Sequence, residues 1–135
     1  MPSPRPEPRK WVLVVEDDYD LRHLWLEALQ GSGYATLAAA DGAEALWVLR
    51  HLYPHLIVLD LQMPRVSGWE VLETIRRHSV LRTVPILIVS GHLDEPGRQD
   101  VERGVNVVSI LEKPVSVERF LTTVREGLRI EGPTR

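Results

Sequence analysis

The sequence predicts an α/β protein built on a five-stranded parallel sheet, on three observations. Short apolar runs alternate with helical patterns along the chain, the signature of βαβ units. Three of the five runs are almost solid Val, Ile and Leu, as expected of strands covered on both faces. Acidic, hydroxyl and amine side chains fall at the ends of the runs, where the loops of an open parallel sheet form a crevice.

The runs are WVLVV (11–15), ATLAAA (35–40), LIVLD (56–60), VPILIVS (84–90) and VVSIL (107–111). The first, third and fourth are the most aliphatic and are expected at the sheet centre. The first helix is read from Tyr19 to Gln30, burying Leu21, Leu24, Trp25 and Ala28, with Gly31 and Gly33 as breakers. Asp41 and Glu44 form a D-x-x-E cap before AEALWVL, and Ser67 and Glu70 an S-x-x-E cap before VLETI. The last helix places Val117, Phe120, Leu121, Val124 and Leu128 on one face. Between the fourth and fifth runs, GHLDEPGRQDVERGVN (91–106) has Leu93, Val101 and Val105 as its only large apolar side chains and Pro96-Gly97 at its middle. A short or mobile helix is expected over Asp94 to Arg103.

Residues 1–10 carry proline at Pro2, Pro4, Pro6 and Pro8 and read as a disordered tail, residues 11–129 as one domain, and residues 130–135 as a C-terminal tail. Of the 135 residues, 44% are hydrophobic and 26% charged, the balance of a globular protein with a packed core. Sixteen Lys and Arg against nineteen Asp and Glu leave a net charge of −3, too weak a field to argue for nucleic acid or an anionic membrane. There is no cysteine, which removes disulfides, thiolate metal sites and thiol nucleophiles from consideration. No apolar run reaches the roughly 18 residues of a membrane span, and a cytoplasmic protein is expected.

The strand ends carry the chemistry. Glu16, Asp17 and Asp18 follow the first strand, Asp60 ends the third, Ser90 ends the fourth, and Lys113 follows the fifth, just before Pro114. A hard divalent cation takes oxygen ligands, and clustered carboxylates on adjacent loops supply them. Beside such a cation, Asp60 suits a carboxylate nucleophile that forms an acyl phosphate. Lys113 suits a point charge for a phosphoryl oxygen, and Ser90 a hydroxyl donor to another. Asp18 is read as a helix cap.

The ordered set LVVEDD, IVLDLQMPRVSGWE, ILIVSGH and LEKP closely resembles the receiver domains of bacterial two-component response regulators. The resemblance spans residues 12–114 and, with the last helix, nearly everything but the tails. It implies a doubly wound, flavodoxin-like sheet of strand order 2-1-3-4-5. It further implies Mg²⁺ as cofactor, a sensor histidine kinase or phosphotransfer protein as donor, and Asp60 as phosphoacceptor. The metal would bind Asp17, Asp60 and the backbone carbonyl of Gln62, with Glu16 acting through water. Pro64 and Gly68 match the turn after the acceptor, and Lys113-Pro114 matches a cis bond. Output would pass to an unidentified protein partner rather than directly to nucleic acid or membrane, and homodimerisation stays open.

A pseudo-receiver of the same fold would have lost acceptor, lysine or acidic pair, and all are present. An aspartyl-phosphate phosphohydrolase would carry Asp where Gln62 stands, and a flavin site would not place EDD where a phosphate must bind. His23, His51, His55, His78 and His92 have no metal-ligand spacing and are read as surface residues, His92 at the mouth of the site. Trp47 falls on the solvent face of its helix. Where receivers often have Tyr or Phe, this chain has Ile110, which is expected simply to pack, leaving Ser90 and residues 91–95 to carry the signal.

Overall fold

A computed structural model describes residues 8–91 and 103–129. Strands β1 (Trp11–Val15), β2 (Ala35–Ala39), β3 (Leu56–Leu59), β4 (Pro85–Ser90) and β5 (Asn106–Glu112) alternate with helices α1 (Tyr19–Gly31), α2 (Gly42–Leu49), α3 (Gly68–Arg76) and α4 (Val117–Gly127). All strand pairs are parallel, in the order β2-β1-β3-β4-β5. The three aliphatic runs occupy the centre, as expected. Of the segment anticipated as a short helix, Asp94 to Arg103, residues 94–102 lie outside the described residues, as does His92.

Alternation along the central strands feeds two apolar layers. Leu13, Val15, Ile57, Leu59, Ile86 and Ile88 pack with Ala45, Leu49, Val71, Leu72 and Ile75 of α2 and α3. Val12, Val14, Val58, Leu87 and Val89 pack with Trp25 and Leu29 of α1 and Phe120 and Val124 of α4. The Trp25 and Phe120 rings stack at 4.1 Å, joining the two helices on that face. The sheet is therefore wound on both sides, which explains why β1, β3 and β4 show no polar alternation. Ile110 is half-buried and packs in the first layer.

Four helices start on a side-chain cap. Asp18 accepts from the Leu21 amide at 2.9 Å, Asp41 from Glu44 at 2.9 Å, Ser67 from Glu70 at 3.3 Å and Ser116 from Arg119 at 3.1 Å. Glu44 reaches back to the Ala40 amide at 2.7 Å, completing a reciprocal cap one residue early.

Two expectations need correction. Leu24 is 44% exposed, and Leu29 is fully buried in its place. The buried face of α1 runs through Trp25 and Leu29, four residues apart, and Leu24 sits about 100° away from it. His55 and His78 are half-buried structural residues rather than plain surface ones. His55 Nδ1 accepts from the Trp11 amide at 2.9 Å while its own amide donates to the Trp11 carbonyl, tying the starts of β1 and β3. His78 Nδ1 accepts from the amides of Val80 and Leu81, organising the turn before β4. His23 and His51 are exposed, and Trp47, on the solvent face of α2, is 62% exposed and tilted against the His51 ring at 4.6 Å.

The loop from β3 to α3 is clamped by close backbone approach. A Cβ at Gly68 would lie 2.2 Å from the Asp60 carbonyl oxygen and 2.5 Å from the Leu61 Cα, and one at Gly42 would lie 2.2 Å from the Val66 carbonyl oxygen. Gly31, at the end of α1, has open space around it. Gly68→Ala is expected to cost about 1–3 kcal/mol, because backbone on both sides must move. Gly31→Ala should be neutral or stabilise by about 0.4–1 kcal/mol. Urea unfolding of the two variants checks the contrast, and equal effects would contradict it.

Candidate functional site

The predicted site residues lie at or just after the carboxyl ends of strands, and backbone hydrogen bonds set the relative height of the strands. The Asp60 amide donates to the Val15 carbonyl at 3.1 Å, and the Glu16 amide to the Ala39 carbonyl at 3.1 Å. The Lys113 amide donates to the Ser90 carbonyl at 2.9 Å. The ends of β1, β3, β4 and β5 are thereby brought into one crevice.

Lys113 is the hub of its side chains. Its Nζ lies 2.7 Å from Glu16 Oε1 and 3.0 Å from Asp60 Oδ2. The second Asp60 oxygen accepts from the Gln62 amide at 3.0 Å, and the second Glu16 oxygen from the Asp18 amide at 3.1 Å. Glu16 is 2% exposed and Asp60 4%, while Asp17 is exposed beside them. The Lys113-Pro114 bond is cis.

Charges this close and this dry shift one another's ionisation. Burial pushes the Glu16 carboxyl up to about 7; the Lys113 ammonium and the Asp18 amide oppose the rise, and the neighbouring Asp60 adds to it. Burial pulls the Lys113 ammonium down, but its hydrogen bonds to Glu16 and Asp60 outweigh that and leave it above its ordinary range. Three carboxylates against one ammonium leave two formal negative charges, an arrangement that favours a cation.

One carboxylate oxygen each from Glu16, Asp17 and Asp60 lie within 4.8 Å of one another. Oxygens sharing one Mg²⁺ sit at most about 4.2 Å apart. A side-chain rotation of a few tenths of an ångström, or a water in place of one carboxylate, brings the three into range, so these residues fit a hard cation. Ser90 adds a second signature. It is fully buried, and among the described residues its hydroxyl has no hydrogen-bond partner. A buried unpaired hydroxyl costs free energy unless another group supplies the missing bond.

Two residues escaped the sequence reading. Arg22 of α1 donates from one Nη to the Glu16 carbonyl at 2.9 Å and to the Asp17 carbonyl at 3.4 Å. Arg65 adopts φ 63°, a left-handed conformation uncommon outside glycine, in the turn after Asp60, and its guanidinium lies 3.5 Å from the Asp41 carboxylate.

Known proteins resemble this chain over most of its length. The polar-differentiation response regulator DivK of Brucella ovis is 33% identical over 119 residues, 88% of this chain and 96% of that protein. The chemotaxis protein CheY4 of Vibrio cholerae superposes with a TM-score of 0.79 at 29% identity, over 92% of this chain and all of the other. The receiver domain of Francisella response regulator 1452 superposes with a TM-score of 0.79 at 25% identity, over 90% of this chain and 98% of its own. The family model for the response regulator receiver domain matches residues 12–125, from the second residue of β1 nearly to the end of α4, and this chain belongs to that family.

Proposed function

We propose that the protein is a phosphorylation switch of a two-component system in which Asp60 takes a phosphoryl group from the phosphohistidine of a sensor histidine kinase or phosphotransfer protein. The observation that carries this reading is the setting of Asp60. Its carboxylate is almost fully buried, held on one oxygen by Lys113 and on the other by a backbone amide, beside two further carboxylates. A purely structural buried acid needs partners for its own charge, not additional acids.

In the proposed step an Asp60 oxygen forms the new O–P bond as the N–P bond of the donor breaks and the imidazole leaves. Asp17, Asp60 and the Gln62 backbone carbonyl would hold Mg²⁺, with Glu16 reaching it through water. When bound, the ion supplies the positive charge that neutralises oxygens on acceptor and phosphoryl group alike. Lys113 keeps the Asp60 side chain in place beforehand and takes up a phosphoryl oxygen afterwards. Ser90 donates its hydroxyl to another phosphoryl oxygen. Water later cleaves the acyl phosphate and resets the switch. The phosphorylated form then acts on a protein partner in the cytoplasm; among the described residues no helix is long and apolar enough to cross a membrane.

Incubation with acetyl phosphate and Mg²⁺ should give one phosphoryl adduct by mass spectrometry, and Asp60→Asn should give none. Labelling of Asp60→Asn at the wild-type level would remove Asp60 as acceptor, and an unlabelled wild type would favour a pseudo-receiver.

Labelling is expected to disappear in excess chelator. Asp17→Ala should lose most of its Mg²⁺ affinity with little change in metal-free stability, since it relieves repulsion at an exposed position. Chelator-resistant labelling would contradict the metal's role.

Ser90→Ala should leave the unphosphorylated protein as stable as wild type or about 1 kcal/mol more stable, because it removes a buried hydroxyl that has no hydrogen-bond partner among the described residues. The same variant should bind beryllofluoride more weakly. A clear loss of stability with unchanged beryllofluoride affinity would assign Ser90 a packing role alone.

A further inference from the structure

We infer that Arg22 is a positioning residue for the metal site, holding the peptide that joins Glu16 to Asp17 so that the Asp17 carboxylate faces Asp60. The inference rests on the reading of the acidic cluster as a cation site. Glu16 and Asp18 on either side of Asp17 each have anchors besides Arg22, whose own amide also donates to the Asp18 carbonyl at 2.9 Å. Glu16 is fixed by the hydrogen bond its amide donates to the Ala39 carbonyl and by its contact with Lys113, and Asp18 by the hydrogen bond its amide donates to the Glu16 carboxylate and by its role as the cap of α1. Asp17 has no such anchor. Its carboxylate is exposed, and among the described residues the one hydrogen bond that reaches Asp17 comes from Arg22.

The geometry of that grip is specific. The 2.9 Å bond to the Glu16 carbonyl fixes the plane of the Glu16–Asp17 peptide, and the longer 3.4 Å contact reaches the carbonyl on the far side of Asp17. Arg22 thus spans the residue whose side chain must point into the crevice. The guanidinium is itself steadied over the Tyr19 ring, 5.5 Å from its centroid. Both contacts come from a single Nη of the planar guanidinium, whose fixed geometry and weaker hydration suit this position better than the compact, strongly hydrated charge of an ammonium. Groups one step removed from the ligands orient them and so set metal affinity.

Charge alone predicts the opposite effect, which makes the inference testable. Arg22 is a cation close to a cation site, so removing it without any positioning role would tighten Mg²⁺ binding. Positioning predicts weaker binding. Mg²⁺ titrations followed by the amide shifts of Asp17, Asp18 and Gln62, with melting temperatures measured in parallel, separate the two. Arg22→Ala is expected to bind Mg²⁺ about tenfold more weakly than wild type while still folding. Arg22→Lys, which keeps the charge and one reaching donor, should recover much of the loss. Should Arg22→Ala fail to fold, Arg22→Gln, uncharged but with much of the stem retained, makes the same comparison. A wild type that binds Mg²⁺ while the neutral variants bind equally or more tightly overturns the inference and leaves the cation site standing. A wild type whose amides do not respond to Mg²⁺ overturns both.

Discussion

The bridge from the Lys113 ammonium to Glu16 and Asp60 is the interaction on which the site depends. It ties the ends of β1, β3 and β5 through side chains that are almost dry at the acidic end. Buried carboxylates without a partner are strongly destabilising, whereas a pair satisfied by a cation and by backbone amides can be held. Glu16 and Asp60 each have one oxygen on Lys113 and one on an amide, so every carboxylate oxygen in the buried pair is accounted for. A bound cation and a phosphoryl group would compete with the lysine for the same oxygens. The resting contacts are therefore those a signal would have to rearrange.

The rest of the fold serves to keep those ends level. A sheet covered on both faces fixes the register of its central strands, because neither face can slip toward solvent without exposing Val, Ile or Leu. The loop leaving Asp60 is held by glycines that let backbone approach backbone, Gly68 against Asp60 and Leu61 and Gly42 against Val66. Arg65 takes a left-handed conformation in the same loop and reaches the cap of α2. Strain and tight approach collect around Asp60 and are sustained by the surrounding packing.

Much of this was legible in the sequence. The solid aliphatic runs named the central strands, and the caps at Asp18, Asp41 and Ser67 fell where a hydroxyl or carboxylate precedes a periodic stretch. Glu16, Asp17, Asp60, Ser90 and Lys113 could be placed together because each sits where a strand ends, so that a parallel sheet alone delivers them to one crevice. What was not legible has long-range or backbone partners. Arg22 binds carbonyls, which no pattern of side chains encodes. His55 pairs with Trp11 across 44 residues, and nothing local distinguishes it from a surface histidine. Leu24 and Leu29 fit the apolar stripe of α1 almost equally well on paper, and packing against α4 through Trp25 and Phe120 chose between them. In β5, Leu87 pairs with Ser109 directly after Ile86 pairs with Val107, an irregularity with no glycine to announce it.

If Lys113 and a divalent ion serve the same two buried carboxylates, each should be able to compensate in part for the loss of the other. The direct measurement is the unfolding free energy of Lys113→Met with chelator and with excess Mg²⁺. The account predicts a loss of about 3 kcal/mol in chelator, as for a buried charge deprived of its partner, and substantial recovery with Mg²⁺. A variant as stable as wild type in chelator, or one that Mg²⁺ does not stabilise, would contradict it.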